Sequence, residues 1–149
     1  MGAKKTPFYK KHKELDAKLV DFAGYMMPMR YSRIIDEHNA VRQNVGVFDI
    51  SHMGEFIVKG ADSEAFLNKM VTNDISRLKP GQAQYNVMCY KDGGIVDDLI
   101  VYKLEDHFMM VVNASNIDKD FAWLEENLKS ADVELINKSD EIGLLAIQG

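Results

Sequence analysis

The chain has 149 residues, 46% of them hydrophobic and 28% charged, which is typical of a globular protein with a real core. Its formal net charge of −5 argues against a nucleic-acid partner, because phosphate binding needs clustered lysines and arginines. No apolar run approaches the roughly 18 residues of a membrane span. These properties argue against an integral membrane protein with helical spans and, more mildly, against a polyanion-binding protein.

The sulfur and nitrogen ligands of metal proteins are sparse in this sequence. Cys89 is the single cysteine, which excludes an intrachain disulfide and fits a reducing cytoplasm. The four histidines are scattered, with no ligand-like spacing to one another or to Cys89, and so predict no metal site. The N-terminal residues also lack the apolar stretch of a secretory signal. We therefore expect a cytoplasmic protein that binds neither metal, membrane nor nucleic acid.

The first 53 residues alternate turn residues with short apolar runs. Thr6 and Pro7 predict the start of a short helix. Pro28 argues against a regular central strand in the apolar run that contains it. After Ser32, apolar residues at helical spacing predict a helix that Gly46 ends, and the run VFDIS predicts a short strand.

Residues 54–138 follow a different pattern, with the order strand, helix, three strands, helix, strand. The dipeptide Asp92-Gly93 predicts a hairpin between two of these strands. Strands joined by local hairpins favour a mostly antiparallel sheet with helices on one face. The predicted fold class is α+β.

The two ends of the chain do not fit the pattern of the middle region. Residues 1–53 and 139–149 are expected to be two separated pieces of another domain. The final run GLLAIQG is apolar and strand-like and has no solubilising tail after it, which indicates a fragment. We predict a discontinuous first domain, with 139–149 as its return strand, and an α+β domain over 54–138.

Two adjacent acids, Asp97 and Asp98, stand near the start of a run that otherwise predicts a buried strand. Because side chains alternate along a strand, Asp98 should face the same side as Tyr102, and Asp97 the core side with Val101. Asp97 would then need hydrogen-bond donors. Two interpretations of such a carboxylate stay open. It bonds the amides of the turn, or it lies in a partly desolvated pocket and binds a cationic amine or exchanges a proton with one.

Polar and aromatic residues lie on the two strands predicted to flank Asp98. Tyr85 and Tyr90 precede it and Asn113 follows it. If these side chains converge, they suit a flat heteroaromatic ligand, whose ring stacks on tyrosine while its polar edge meets Asp98 and Asn113. Taken singly, each tyrosine is better explained by packing, and Asn113 by a strand end or helix entry. His52 is interpreted as a structural histidine.

Several motifs together resemble the aminomethyltransferase (T-protein) of the glycine cleavage system. They include VDFAGYMMPMRY, FDISHMGEF, GGIVDDLIVY and the final LLAIQG, and they cover nearly the whole chain in register. The family's chain is much longer. The resemblance therefore implies that this sequence corresponds to roughly the first two-fifths of such a protein and includes the incomplete N-terminal part of a second, folate-binding α+β domain.

The resemblance also implies an activity. The methylene of an aminomethyl group on the lipoyl arm of the H-protein passes to tetrahydrofolate, the co-substrate, with release of ammonia. Asp98 matches the family's essential carboxylate. An anion at this position would stabilise the positive charge of an iminium-like carbon. Whether Asp98 also moves a proton stays open, and Tyr90 has no counterpart around the folate. The implied folate-binding residues are Met53, Tyr85, Asp98, Tyr102 and Asn113.

Later sequence in the family supplies further folate contacts, so we expect the 149 residues alone to be inactive. Two alternatives stay open. The chain is a folate-binding module without chemistry, or it belongs to a related folate-binding group: a protein of iron–sulfur cluster maintenance, or a domain fused to a sarcosine-type dehydrogenase.

Overall fold

A computed structural model describes residues 2–149 of the chain. The chain forms two compact units. One runs to His52 and includes Ile142–Gly149, and the other is Met53–Glu141. The predicted boundaries differ slightly, since Met53 and residues 139–141 fall in the second unit. The backbone N–H of Lys138 donates to the carbonyl of Glu55, and the backbone N–H of Glu55 donates to the hydroxyl of Ser139, so this part of the chain belongs to the second unit.

Short strands and helices make up both units. The first unit begins with β1 (Lys4–Lys5), α1 (Tyr9–Glu14), β2 (Lys18–Phe22), β3 (Tyr25–Arg30), α2 (Ile34–Gln43) and β4 (Gly46–Asp49). The second contains β5 (Gly54–Lys59), α3 (Ser63–Met70), β6 (Ala83–Cys89), β7 (Ile95–Lys103), β8 (Phe108–Val112), α4 (Ile117–Leu128) and β9 (Glu134–Asn137). The first unit is completed by β10 (Leu145–Gln148).

The first unit holds two small sheets, β1-β3-β2 and β10-β4. The expectation that Pro28 interrupts a regular strand needs correction, because Pro28 lies within β3. The strand tolerates it for two reasons. The pairing register with β2 shifts beside Pro28, between Lys18 and Leu19, and β1 pairs only with Tyr25 and Met26 and ends before reaching it.

One predicted helix start was wrong. Helix α1 begins at Tyr9, and Thr6 donates its hydroxyl to Asp49 over 2.6 Å instead of capping the helix. Helix α2 begins at Ile34, and neither helix has a side-chain cap. The predicted stop at Gly46 was also wrong, since α2 ends at Gln43 and Gly46 begins β4.

A polar cluster centred on Asp49 ties the pieces of the first unit together. Thr6 and His12 contact one carboxylate oxygen, His12 Nε2 at 2.7 Å, and the backbone N–H of Ser51 donates to the other over 3.0 Å. The second ring nitrogen of His12 lies 2.7 Å from the hydroxyl of Tyr31. Thr6, His12 and Ser51 are buried, so this cluster satisfies polar groups that burial would otherwise penalise.

The second unit is built on a five-stranded sheet in the order β6-β7-β8-β5-β9, with every neighbouring pair antiparallel. The predicted hairpin joins β6 to β7 through Asp92-Gly93, where Gly93 has a φ of +89°, a conformation that glycine adopts without steric cost. The α+β class and the mostly antiparallel sheet are confirmed.

The core of the second unit lies on one face of this sheet. Leu99 and Val101 of β7 and Phe56 of β5 belong to a single buried cluster. Leu67 of α3 and Leu124 of α4 are fully buried members of the same cluster. Both helices therefore pack on the same face of the sheet, as predicted, and the opposite face is left for other roles.

The longest helix in the described part of the chain, α4, has 12 residues. Within residues 2–149, no helix combines the length and the hydropathy that crossing a bilayer requires.

Candidate functional site

The two adjacent acids of β7 face opposite sides of the sheet. Asp98 is exposed, whereas Asp97 is buried with 6% of its surface accessible. Leu99 and Val101 are buried on the same side as Asp97, and Tyr102 shares the side of Asp98. The alternation agrees with the sequence prediction and places Asp98 on the face of the sheet away from the helices.

Side chains from both neighbouring strands hold the Asp98 carboxylate. The hydroxyl of Tyr85 on β6 donates to Oδ2 over 3.1 Å. The side-chain amide of Asn113, directly after β8, donates to Oδ1 over 3.1 Å. The hydrogen bond to Asp98 raises the pKa of Tyr85, so its hydroxyl keeps the proton that it donates. Each carboxylate oxygen therefore has its own donor.

Tyr85 presents an aromatic face beside this carboxylate. It is 60% exposed and lies opposite Ile100 in the β6–β7 pairing. An exposed ring fixed next to a carboxylate offers a stacking surface and a hydrogen-bonding edge to the same ligand.

The other two predicted site residues are Tyr102 and Met53. Within the described part of the chain, neither donates a hydrogen bond to the Asp98 carboxylate, and their positions follow from the strand register. Tyr102 is half-buried and lies four residues further along β7, or about 13 Å away at about 3.3 Å per residue. Met53 is half-buried and directly precedes Gly54, which pairs with Val112 next to Asn113. Among residues 2–149, the side-chain hydrogen bonds to the Asp98 carboxylate thus come from Tyr85 and Asn113.

Asp97 lies in a dense set of hydrogen bonds below the site. The side-chain amide of Asn113 donates to Oδ1 over 2.9 Å, and the backbone N–H of Asn113 donates to Oδ2 over 3.3 Å. Burial works to raise the pKa of Asp97, but hydrogen bonds from Asp120, Asn113 and Asn116 outweigh it and lower the pKa. Asp97 is therefore the ionised member of its pair with Asp120.

Asp120 of α4 is the partner of Asp97 and has no accessible surface. Burial raises the pKa of Asp120 to about 7, and the hydrogen bond and the charge of Asp97 act in the same direction. The ammonium group of Lys119, 3.3 Å from Oδ1, lowers the pKa but does not reverse the shift. Two buried carboxyl groups joined by a hydrogen bond share one proton, since ionising both would be costly.

Residues 8–149 match the family model described as GCVT N-terminal domain. The chain belongs to the GCVT N-terminal domain family. Among its relatives are proteins named aminomethyltransferase from Chloroherpeton thalassium, 56% identical over 147 residues, and from Thermotoga maritima, 54% identical over 147 residues.

Each of these alignments covers 98% of this GCVT N-terminal domain chain, but only 41% and 40% of the two relatives. The crystal structure of the glycine cleavage system aminomethyltransferase T from Bartonella henselae matches with a TM-score of 0.90 and 38% identity, over 99% of this chain and 41% of that one. The chain therefore spans about two-fifths of the length of the relatives it matches.

Sequence reasoning about this GCVT N-terminal domain missed Asp120 and Asn116, although a signal for Asp120 exists. Asp120 follows Ile117 by three residues and precedes Leu124 by four, which places it within the apolar stripe of α4. An acid in such a stripe must find a buried partner.

Within residues 2–149, no cluster of three histidine, cysteine, aspartate or glutamate side chains is arranged to hold a metal ion.

Proposed function

We propose that the protein is a tetrahydrofolate-dependent aminomethyltransferase of the glycine cleavage system. Its substrate is an aminomethyl group bound through sulfur to the lipoyl arm of the H-protein. The methylene carbon loses its bonds to sulfur and to the amino nitrogen and gains bonds to two nitrogens of tetrahydrofolate. The two protons displaced from those nitrogens leave with the sulfur and the amine, giving a dihydrolipoyl arm and ammonia without any oxidation or reduction.

The observation that carries this proposal is the fixed carboxylate of Asp98 next to an exposed aromatic ring. Tyr85 and Asn113 hold its two oxygens from opposite neighbouring strands, and this occurs at the position that matches the family's essential acid. The arrangement fits a reduced pterin, because a flat ring with polar edges needs both a stacking surface and a hydrogen-bond acceptor.

Asp98 has an electrostatic role in this proposal. As nitrogen and sulfur leave, positive charge develops on the carbon being transferred, and a carboxylate already held in place stabilises it without reorganisation. Asn113 keeps the carboxylate directed, and Tyr85 both holds Oδ2 and offers its ring to the pterin. Tyr102 and Met53 would widen the binding surface along β7 and at the start of β5. Orientation of the two reactants supplies the remaining rate enhancement.

The partner is then the lipoylated H-protein, and no nucleic acid, membrane or metal ion takes part. The single cysteine, Cys89, is free, which suits the reducing cytoplasm as the compartment. Because the chain spans about two-fifths of its relatives, we expect the 149 residues alone to show no turnover, with the rest of the folate contacts lying in later sequence.

The test is an aminomethyl-transfer assay with lipoylated H-protein and tetrahydrofolate. It uses a full-length chimera in which this chain replaces the matching segment of the Thermotoga maritima relative. Asp98→Asn should lower kcat by about a hundredfold or more, as loss of a preorganised electrostatic group does, while tetrahydrofolate still binds. Tyr85→Phe should lower kcat by about threefold to tenfold, because one hydrogen bond to the carboxylate is lost.

Tyr90→Phe is the matched control, since Tyr90 follows the same strand but packs against Trp123 with ring centroids 5.1 Å apart. It should leave kcat unchanged. If Asp98→Asn keeps both binding and transfer, or if the unsubstituted chimera transfers no methylene, the proposal is wrong. Full-length turnover rates from the 149 residues alone would refute the expectation that they are inactive.

A further inference from the structure

A chain of hydrogen bonds leads from the core of the second unit to Asp98. It starts at Asp120 on α4, passes to Asp97 on β7, and continues through the side-chain amide of Asn113 to the carboxylate of Asp98. Asp120 and Asp97 are buried, and Asp98 is exposed. The exposed carboxylate is therefore linked, through Asn113, to two acids that cannot themselves reach solvent.

The two carboxylates determine the orientation of the Asn113 amide. Its nitrogen lies 2.9 Å from Asp97 Oδ1 and 3.1 Å from both Asp98 Oδ1 and the Asp98 carbonyl oxygen. Every one of these atoms accepts hydrogen bonds, so only the NH2 group of the amide can face them. Rotation of the amide would bring its oxygen against acceptors and leave Asp98 Oδ1 without this donor.

Asp120 holds the proton of the buried pair. Both carboxyl oxygens of Asp120 are buried, and among residues 2–149 no neutral N–H or hydroxyl group donates to either of them. The ammonium group of Lys119 lies 3.3 Å from Oδ1 and also donates to the carbonyl of Val96. An ionised Asp120 would be a second buried anion beside Asp97, whereas a protonated Asp120 donates to Asp97 and leaves that carboxylate charged for Asn113.

We propose that Asp97 and Asp120, sharing one proton, are positioning residues that hold the Asn113 amide against Asp98, an inference that rests on the proposed aminomethyl transfer. The pair touches neither reactant. It keeps Asp97 an acceptor, which fixes the amide, and the fixed amide keeps the catalytic carboxylate directed. This role explains why a helix whose apolar face packs in the core carries an acid at position 120.

The experiment measures kcat and the KM for tetrahydrofolate in the full-length chimera. Asp97→Asn replaces a carboxylate that accepts two hydrogen bonds from Asn113 with an amide. We expect kcat to fall about tenfold, because the carboxylate of Asp98 loses its orientation. The KM should change by less than about twofold, since the Asp97 side chain does not touch the folate. Asp120→Leu should lower kcat by a similar factor, because Asp97 loses its donor.

Asp120→Asn is the conservative variant. Its amide can donate to Asp97 without a titratable proton, so most of the kcat lost in Asp120→Leu should return. Asp118→Asn removes an exposed acid from the same helix and should leave both constants unchanged. Fluorescence of Trp123, the single tryptophan, reports whether each variant keeps the fold of the second unit.

Nuclear magnetic resonance of the Asn113 side-chain NH2 group gives a readout that does not depend on turnover. In the 149-residue chain, the chemical shifts of these two protons should differ from those of a free amide, and the protons should exchange slowly with solvent. Asp97→Asn should abolish both features, whereas Asp118→Asn should preserve them. Unchanged NH2 signals and unchanged kcat in folded Asp97→Asn, or equal kcat in Asp120→Leu and Asp120→Asn, would overturn the inference.

The two proposals fail in different ways. If Asp98→Asn retains transfer, the proposed function is wrong whatever the NH2 signals show. If Asp98→Asn abolishes transfer but folded Asp97→Asn does not lower kcat, only the positioning role is wrong.

Discussion

Different interactions stabilise the interior of each of the two units. Of the apolar side chains that the first unit contributes to residues 2–149, only Tyr25 and Met27 are buried, and its other large buried groups are polar, such as His12. In the second, a continuous apolar cluster joins the sheet to α3 and α4. The first unit therefore depends on matched hydrogen bonds, and the second on burial of apolar surface.

The exposed surfaces differ in the same sense. Large apolar residues that are exposed in the first unit are Leu15, Phe22, Met29, Tyr31, Ile34, Ile35, Val45, Val47, Phe48, Leu145 and Ile147. In the second unit they are Tyr85, Tyr90, Ile95 and Leu104. Single substitutions should therefore act on each unit separately, with the largest losses where a core side chain is removed.

Phe56→Ala should give the largest effect. Phe56 is fully buried and packs edge-on against Phe121, with ring centroids 5.1 Å apart. Truncating a buried phenylalanine costs about 3–5 kcal/mol, because apolar contacts are lost and a cavity remains. We expect the free energy of unfolding followed by Trp123 fluorescence to fall by that amount.

Ile95→Ala is the control for this loss, since Ile95 is 69% exposed in the same unit. It should change the free energy of unfolding by less than about 0.5 kcal/mol. Equal losses from Phe56→Ala and Ile95→Ala would contradict the view that the core carries the stability of the second unit.

Asp49→Ala should have the next largest effect, confined to the first unit. The substitution removes the acceptor of Thr6, His12 and Ser51, and stranded buried donors cost about 1–3 kcal/mol each before local relaxation. We expect a loss of about 2–3 kcal/mol in the protection of the first unit's amides against hydrogen exchange.

The second unit provides the internal reference in that experiment. Its amides and the Trp123 signal should not change in Asp49→Ala. Asp36→Ala removes an exposed acid of α2 that makes a 3.6 Å surface ion pair with Arg33, and it should leave protection intact. Uniform loss of protection across both units would show that the two do not respond separately.

Glu55 gives the smallest expected effect, and the size of its contribution to stability depends on pH. Its carboxyl group is fully buried, no hydrogen bond reaches it among residues 2–149, and burial raises its pKa from 4.5 to about 8. The folded protein thus binds this proton more tightly than the unfolded chain does. The resulting stability is fully present below about pH 4.5 and is lost as the pH rises toward 8.

Glu55→Gln should remove this contribution. Between pH 6 and pH 7 the unfolding free energy of the native sequence should fall by about 1 kcal/mol more than that of the variant, since one group gives at most about 1.4 kcal/mol per pH unit. Urea unfolding with Trp123 fluorescence measures the difference. Glu125→Gln, at an exposed position of α4, should keep the native slope, and identical slopes for Glu55→Gln and the native protein would contradict the assignment.

Local patterns predicted much of the second unit. Period-two alternation placed Asp98 and Asp97 on opposite faces of β7, and Asp92-Gly93 marked the hairpin. Such features follow from bonds between residues close in sequence, so they are readable from short windows. The start of α1 was not readable in this way, because the side chain of Thr6 bonds to Asp49, 43 residues away, and does not cap the adjacent helix.

The sequence by itself determined the α+β class, the antiparallel sheet and the side of β7 on which Asp98 lies, because each depends on alternation and turn chemistry within a few residues. Only the tertiary structure decided that Asp120 joins Asp97 beneath the site and that Asn113 bridges Asp97 to Asp98. Those contacts form when α4 packs on the sheet and buries two acids together, and burial sets which of the two holds the proton.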